Sequence, residues 1–270
     1  MADEEALTAA IEEGRQAWPA LEVPADQFEV FLAERIDEEH GLSELVVADL
    51  YLACACQLRV SGAIAAFESY CKTAVEGAIA RIGGAGAVAD EARQIVRDLL
   101  FVGKDGSGAI SSYSGRGSLR GWVRIVTVRE ALRLVRKANK DVAVDDEVMF
   151  DALAPTARDD PKLEYLKTRY REQFRSSFRQ AVADLPRRER TALKMNVLDG
   201  LSIDEIGTTF RVHRSTAARW LTRAREVLLD ATRAHMMKEL DITETDVDSV
   251  IRLIQSNLHL TLDSAFKSRE

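Results

Sequence analysis

Proline is scarce in this 270-residue chain, occurring at positions 19, 24, 155, 161 and 186, and none of the five interrupts a long periodic run. Alternating apolar and polar segments closed by tight hairpin turns are also lacking, which removes the usual marks of strands and points to an all-α protein. No apolar run approaches the roughly 18 residues a membrane helix needs. Met1 is followed by Ala-Asp-Glu-Glu, the wrong charge for a secretory leader, so a cytoplasmic protein without a membrane partner is expected. Cysteine is limited to Cys54, Cys56 and Cys71. The first two diverge when set two apart on a helix, so buried or partly buried thiols are expected rather than a disulfide or a metal site. The four histidines fall at no ligand spacing. No acid–base pair or phosphate loop stands out either, so neither an enzyme nor a cofactor is expected.

The formal charge of −7 excludes a uniformly basic nucleic-acid coat, but the charge is unevenly spread. Residues 1 to 50 carry fourteen Asp or Glu against two Arg, whereas residues 115 to 140 carry eight Lys or Arg against the single acid Glu130. A second positive block runs from 186 to 235, with ten bases and six acids; between the two blocks, residues 141 to 165 hold eight acids and two bases. Local fields rather than net charge decide where a polyanion sits, so two cationic surfaces separated by an acidic connector are expected.

The second block contains one uninterrupted pattern, from Leu201-Ser-Ile-Asp-Glu-Ile-Gly through Ala217-Ala-Arg-Trp-Leu-Thr-Arg-Ala-Arg225. Ser202 is placed to cap a short helix, Glu205 to close a capping box with it, and Ile206 to supply its buried face. Phe210 and Val212 fall in the turn. Beyond it Ala217, Leu221, Ala224 and Leu228 recur at helical spacing and define one inward stripe. At about 100° per residue, Ser215, Arg219, Thr222 and Arg223 point away from that stripe, with Arg214, Ala218 and Arg225 beside it. Guanidinium groups interleaved with small hydroxylic or methyl side chains can reach base edges and phosphates in a major groove, so the pattern is that of a DNA-binding helix-turn-helix. An ordinary solvated helix would more often mix Glu and Lys at i,i+4.

The first block joins a loop rich in Gly and Ser, residues 111 to 121, to a basic helix. Trp122, Ile125, Val126, Ala131, Leu132 and Val135 give that helix apolar sides, and Arg120, Arg124, Arg129, Arg133, Arg136 and Lys137 stud the remainder. Tyr113 and Arg side chains beside a mobile loop suit the stacking of unpaired bases and the holding of a single-stranded backbone; Trp122 fits better as a core residue.

Helices are expected at Glu4 to Ala17, Ala25 to Glu39, Ser43 to Arg59, Gly62 to Ile82, Ala87 to Val102, Leu119 to Asn139, Pro161 to Ala183 and Pro186 to Leu198. A further one is expected within Ile242 to Phe266. The organisation expected is an acidic helical extension over 1–57, a helical domain over 58–140, an acidic linker over 141–160, a helix-turn-helix domain over 161–235 and a C-terminal helical extension over 236–270. The acidic front, set against the basic block, is expected to compete with DNA for the basic face.

Taken in this order, the segments resemble a known family. Trp122-Val-Arg-Ile-Val-Thr-Val-Arg-Glu-Ala-Leu-Arg-Leu-Val-Arg136 is similar to the end of region 2 of sigma-70 family RNA polymerase sigma factors. Leu185-Pro-Arg-Arg-Glu-Arg, Leu201-Ser-Ile-Asp-Glu-Ile-Gly and the stretch from Ala217 to Arg225 resemble region 4. With no large middle domain between them, the layout resembles the extracytoplasmic function (ECF) group, and the extended N-terminus resembles that of some myxobacterial members.

The resemblance implies a subunit that performs no chemistry and brings core RNA polymerase to promoters. Region 4 would read the −35 element through Arg211, His213, Arg214, Ser215, Thr216, Ala218, Arg219 and Arg223. Region 2 would hold the melted −10 strand through Tyr113, Ser114, Arg116, Arg120, Arg124 and Arg129. Asp90, Glu91, Gln94 and Arg97 would meet the β′ clamp of the polymerase, whose β flap is the second docking point, and an anti-sigma factor is a further partner the family implies. The sequence departs from the family at Arg129, where Asn is common, and at Arg97, where an aromatic is usual. A stand-alone helix-turn-helix regulator is the alternative; it leaves the block from Tyr113 to Lys137 without a role.

Overall fold

A computed structural model describes residues 4–36, 41–82, 86–103, 108–138 and 161–239, and the regular structure among them is entirely helical. The helices are α1 (Glu4–Ala17), α2 (Ala25–Ala33), α3 (Val47–Gln57), α4 (Ala63–Arg81), α5 (Ala87–Phe101), α6 (Leu119–Ala138), α7 (Pro161–Asp184), α8 (Arg187–Val197), α9 (Ile203–Phe210) and α10 (Arg214–Glu239). The expected linker and C-terminal extension lie outside the described residues, apart from the end of α10.

The first lobe is built on one core that runs from Ala10 to Val126 and crosses the expected boundary at residue 57. α3 is its centre. Every residue from Leu50 to Cys56 is buried, so a helix with no polar face must be covered all round. α1 and α2 cover it on one side and α4 on another. Gly14 lets α1 approach, because a Cβ there would stand 2.3 Å from the Tyr51 ring. The Tyr51 hydroxyl donates to Leu21 O at 3.0 Å and lies 3.3 Å from Val23 N, while Trp18 Nε1 donates to Ala48 O at 2.8 Å.

The acidic front is therefore part of the scaffold of the first lobe. Arg35, 5 % exposed, sits just beyond α2 and donates to Phe31 O at 2.6 Å, Ser111 O at 2.7 Å and Tyr113 O at 2.8 Å. Its guanidinium also lies 3.3 Å from the centre of the Phe31 ring. Asp49, on α3, accepts from Leu119 N at 2.6 Å and so caps α6 from outside its own segment, while Ser118 Oγ accepts from Gly121 N.

The second lobe consists of α7 to α10. α7 and α10 form its longest packed pair. Phe174, Phe178, Val182, Leu193, Val197, Leu228 and Met236 share an apolar cluster with Ala78 of α4 and with Val128 and Leu132 of α6, so the two lobes meet across an apolar seam. At about 1.5–3 kcal/mol for each large side chain taken out of water, Val128 and Leu132 make that seam a stabilising contact.

Two outcomes test this frame. Arg35→Ala leaves three buried carbonyls without their charged donor and should lower the stability of the chain by about 3–5 kcal/mol, measured as a shift of the urea midpoint. Cys54, Cys56 and Cys71 are buried, and desolvation pushes the first two thiols up to about 12 and the third higher still. Ellman's reagent near pH 8 should therefore find unreactive thiols until denaturant is added.

Candidate nucleic-acid interface

α9 begins as its sequence requires. Ser202 Oγ accepts from Glu205 N at 3.3 Å, and Ser202 N donates to Glu205 Oε2 at 2.9 Å, closing the capping box. α9 ends at Arg211, whose φ of 54° lies in the left-handed region that glycine enters most cheaply. Gly207 permits the tight turn, since a Cβ there would come 3.1 Å from Val212 O. His213 starts α10, its Nδ1 accepting from Ser215 N at 3.3 Å and lying 2.9 Å from Ser215 Oγ.

α10 divides as its periodicity demands. Ala217, Leu221, Ala224 and Leu228 are buried; the first two join Ala192, Ile203 and Ile206 in a small core, edged by Phe210 and Trp220 in a T-shaped contact at 5.4 Å. Arg211, His213, Arg214, Ser215, Arg219 and Arg223 are exposed, with Thr216 and Ala218 half-buried beside them. All eight thus lie at the turn and along one end of α10. Arg214 stands 3.7 Å from Asp204, a surface pair of the kind that contributes about 1 kcal/mol or less and can be exchanged for phosphate, while Arg223 stands 3.7 Å from the largely buried carboxylate of Glu189. Glu189 places the first turn of α8 next to this face, and its exposed neighbours Arg187 and Arg188 extend the positive surface. Sequence reasoning left those two out; the signal was the local run Pro186-Arg-Arg-Glu-Arg190.

The residues singled out around α6 are placed differently. Tyr113 is fully buried, its hydroxyl donating to Gly117 O and its ring 5.7 Å from that of Trp122, also buried, so it presents no face on which a base could stack. Ser114, Arg116, Arg120 and Arg124 are half-buried around the start of α6. Arg120 lies over the Tyr70 ring, 3.7 Å from its centre, and donates to Tyr70 O at 2.9 Å. The loop itself is held: Val46 N donates to Gly115 O at 2.8 Å, and a Cβ on Gly115 would stand 2.5 Å from Leu50.

Arg129 faces the second lobe. Its Nε donates to Val197 O at 2.9 Å and its Nη2 to Asn196 O at 3.0 Å, at the C-terminal end of α8, where a helix leaves carbonyls without intrahelical donors. Asn196, which sequence reasoning missed, is the hub of this contact. Fully buried, it donates to Leu201 O at 3.0 Å and accepts from Arg225 Nη2 at 3.3 Å. Half-buried as a residue, Arg129 has its guanidinium enclosed, and desolvation lowers its pKa to about 10 against the opposing pull of Glu130 and Asp199. About two turns further along α6, Arg136 pairs with Asp199.

Asp90, Glu91, Gln94 and Arg97 are exposed together on α5. Asp90 accepts from Arg93 at 2.6 Å, Gln94 donates to Asp98 at 2.9 Å, and Arg97 pairs with Glu68 of α4 at 3.2 Å. Val102, 56 % exposed, continues the stripe of Glu91, Gln94 and Asp98.

Residues 175–228 match the family model for sigma-70, region 4. The match runs from the middle of α7 to the middle of α10 and supports a DNA-binding role in transcription initiation, a role that belongs to a non-enzymatic domain. No curated protein and no solved structure matches the chain. Among the described residues no helix is long and apolar enough to cross a membrane, and no cluster of His, Cys, Asp and Glu is placed to hold a metal ion.

The local chemistry of the turn is testable by opposite substitutions. Ser202→Ala should cost about 1 kcal/mol through the lost cap. Arg211→Gly should leave the lobe as stable or raise its stability by about 1 kcal/mol, because glycine takes the positive φ without strain. Thermal unfolding of the two variants checks both.

Proposed function

We propose that the chain is a sigma-70 family initiation factor of the compact ECF type, with an N-terminal extension like that of some myxobacterial members. The match over residues 175–228, together with the exposed cationic face on the very helix that region 4 uses for recognition, carries this reading. The second lobe reads the −35 element in the major groove through Arg211, His213, Arg214, Ser215, Thr216, Ala218, Arg219 and Arg223. The first lobe acts at the melted −10 element through Ser114, Arg116, Arg120 and Arg124 at the start of α6; Tyr113 shapes the loop from within, and Arg129 joins the set only when the second lobe is moved off it. The exposed face of α5, with Asp90, Glu91, Gln94 and Arg97, docks on the β′ clamp of core RNA polymerase, and the second lobe docks on the β flap. The polymerase supplies the active site. The protein works in the cytoplasm, where an anti-sigma factor is a further partner.

Run-off transcription with core polymerase tests the whole reading. Transcripts starting at a defined promoter are the expected result; DNA binding without initiation would make the chain a stand-alone helix-turn-helix regulator instead. Within the recognition face, Arg219→Ala and Arg223→Ala should each weaken promoter binding by about 1–3 kcal/mol where the side chain reads a base, or flatten the salt dependence by about one contact where it meets phosphate. Filter binding at several salt concentrations separates the two outcomes, and unchanged binding in both variants would move the recognition surface elsewhere.

A further inference from the structure

We propose that Arg35 and Val46 are positioning residues for the melted strand: they fix the path of the loop from Ser111 to Ser118 before DNA arrives, so that Ser114 and Arg116 face outward at the start of α6. The consequence for initiation rests on the function proposed above, whereas the brace itself is a matter of geometry.

Main-chain oxygens at every second position of the loop meet donors of the first lobe. Arg35 Nη2 donates to Ser111 O at 2.7 Å, Arg35 Nε to Tyr113 O at 2.8 Å and Val46 N to Gly115 O at 2.8 Å, while the Tyr113 hydroxyl donates to Gly117 O. Burial follows the same alternation. Tyr113, Gly115, Gly117 and Leu119 are buried, and Ser112, Ser114, Arg116, Ser118 and Arg120 between them are half-buried. A slip of one residue along this path would turn the Tyr113 ring out and Ser114 and Arg116 in, just as a register slip exchanges the two faces of a strand. The three bonds from Arg35 and Val46 therefore decide which side chains a ligand meets.

The loop could not hold this path alone. Glycine has the widest backbone freedom of any residue and loses the most on ordering, and two of the eight residues are Gly115 and Gly117. Gly115 is required all the same: its φ is 79°, and a Cβ on it would stand 2.5 Å from Leu50 Cδ1. A loop of this composition that only DNA put in order would bind weakly, because the cost of ordering opposes association; ordered beforehand, it binds without that cost. Both braces come from the acidic front of the chain, which is thereby part of the site.

One of the bonds can be deleted almost in isolation. Val46 precedes the first residue of α3, its φ of −84° is close to the angle proline fixes, and Leu45 before it is extended at ψ 141°, as a residue ahead of proline must be. Val46→Pro thus removes the N–H that binds Gly115 O and keeps the chain path, whereas Val46→Ala keeps the N–H. Hydrogen–deuterium exchange of the full chain reads the effect. In Val46→Pro the amides of residues 109–119 should exchange about three- to tenfold faster, while those of α4 and of α8 to α10 keep the wild-type rate. Val46→Ala should match the wild type. Arg35→Lys, which puts a point charge in place of the fork, should loosen the loop as Val46→Pro does.

The functional arm uses the chain assembled with core polymerase and a fluorescent single-stranded oligonucleotide of the non-template −10 strand, taken from the promoter that gives run-off transcripts. Val46→Pro and Arg35→Lys should each bind it about three- to tenfold more weakly, with Val46→Ala unchanged and the affinity for a duplex carrying the −35 element alone unchanged in all three. Wild-type exchange rates in both Val46→Pro and Arg35→Lys would overturn the brace. Faster exchange with undiminished single-strand affinity, or an equal loss on the −35 duplex, would overturn the positioning role. A wild type that neither initiates nor binds a single strand, alongside a loosened loop in Val46→Pro, would leave the brace standing and remove the initiation function instead.

Discussion

A helix as rich in arginine as α6 can sit at the centre of a protein only where each guanidinium it buries finds an acceptor. The isolated charge would otherwise cost several kcal/mol to desolvate, more than a lobe of this size can spare. The acceptors found here are mostly main-chain oxygens on neighbouring helices. Arg120 takes Tyr70 O, Arg129 takes Asn196 O and Val197 O, and Arg136 reaches Asp199. Arg35 uses the same device from the other side of the lobe, drawing Phe31, Ser111 and Tyr113 oxygens onto one side chain. The planar fork of arginine suits this work better than the point charge of lysine, because it can bond several acceptors at fixed angles.

Much of the charge in the first basic block is therefore structural. A segment with eight bases against one acid over residues 115–140 reads as an open polyanion site, yet three of its arginines are directed at protein partners and another, Arg133, pairs with Glu130 at 3.3 Å. The second basic block has the opposite character. Arg214, Arg219 and Arg223 at the start of α10 are exposed and the ion pairs of Arg214 and Arg223 are long, which suits a surface whose acceptors arrive with the ligand.

The contrast explains how much could be read from the sequence. The helix-turn-helix was legible because everything that makes it is local: Ser202 and Glu205 are three residues apart, and the stripe of Ala217, Leu221, Ala224 and Leu228 repeats at helical spacing. The all-α class and most helix positions were legible for the same reason, although the helix expected over Ala25 to Glu39 ends at Ala33. Arg129, Tyr113 and Asn196 were not legible, because their roles are set by partners 68, 4 and 29 residues away that no periodicity announces. A buried Tyr whose hydroxyl meets a main-chain oxygen looks, in one dimension, like a tyrosine at the mouth of a loop. The same holds for the acidic front: its exposed carboxylates dominate the composition, while the apolar residues that anchor it, such as Phe28, Leu32 and Leu50, are recognisable only once α3 is seen to be buried on all sides.

The anchoring of that front bears on how the first lobe can move. Asp49 caps α6, Arg35 ties down the loop before it, and Leu50 packs where any Cβ on Gly115 would stand. The loop from Ser111 to Ser118 and the start of α6 are thus one piece with α1 to α3, so a ligand at that end of α6 meets a preformed surface and need not order a free segment. Between the lobes the contacts are fewer: Arg129, Arg136 and the apolar seam of Ala78, Val128 and Leu132. Rigid lobes joined by a separable boundary are what a protein needs if it is to place two fixed surfaces at a spacing set by its partner rather than by itself.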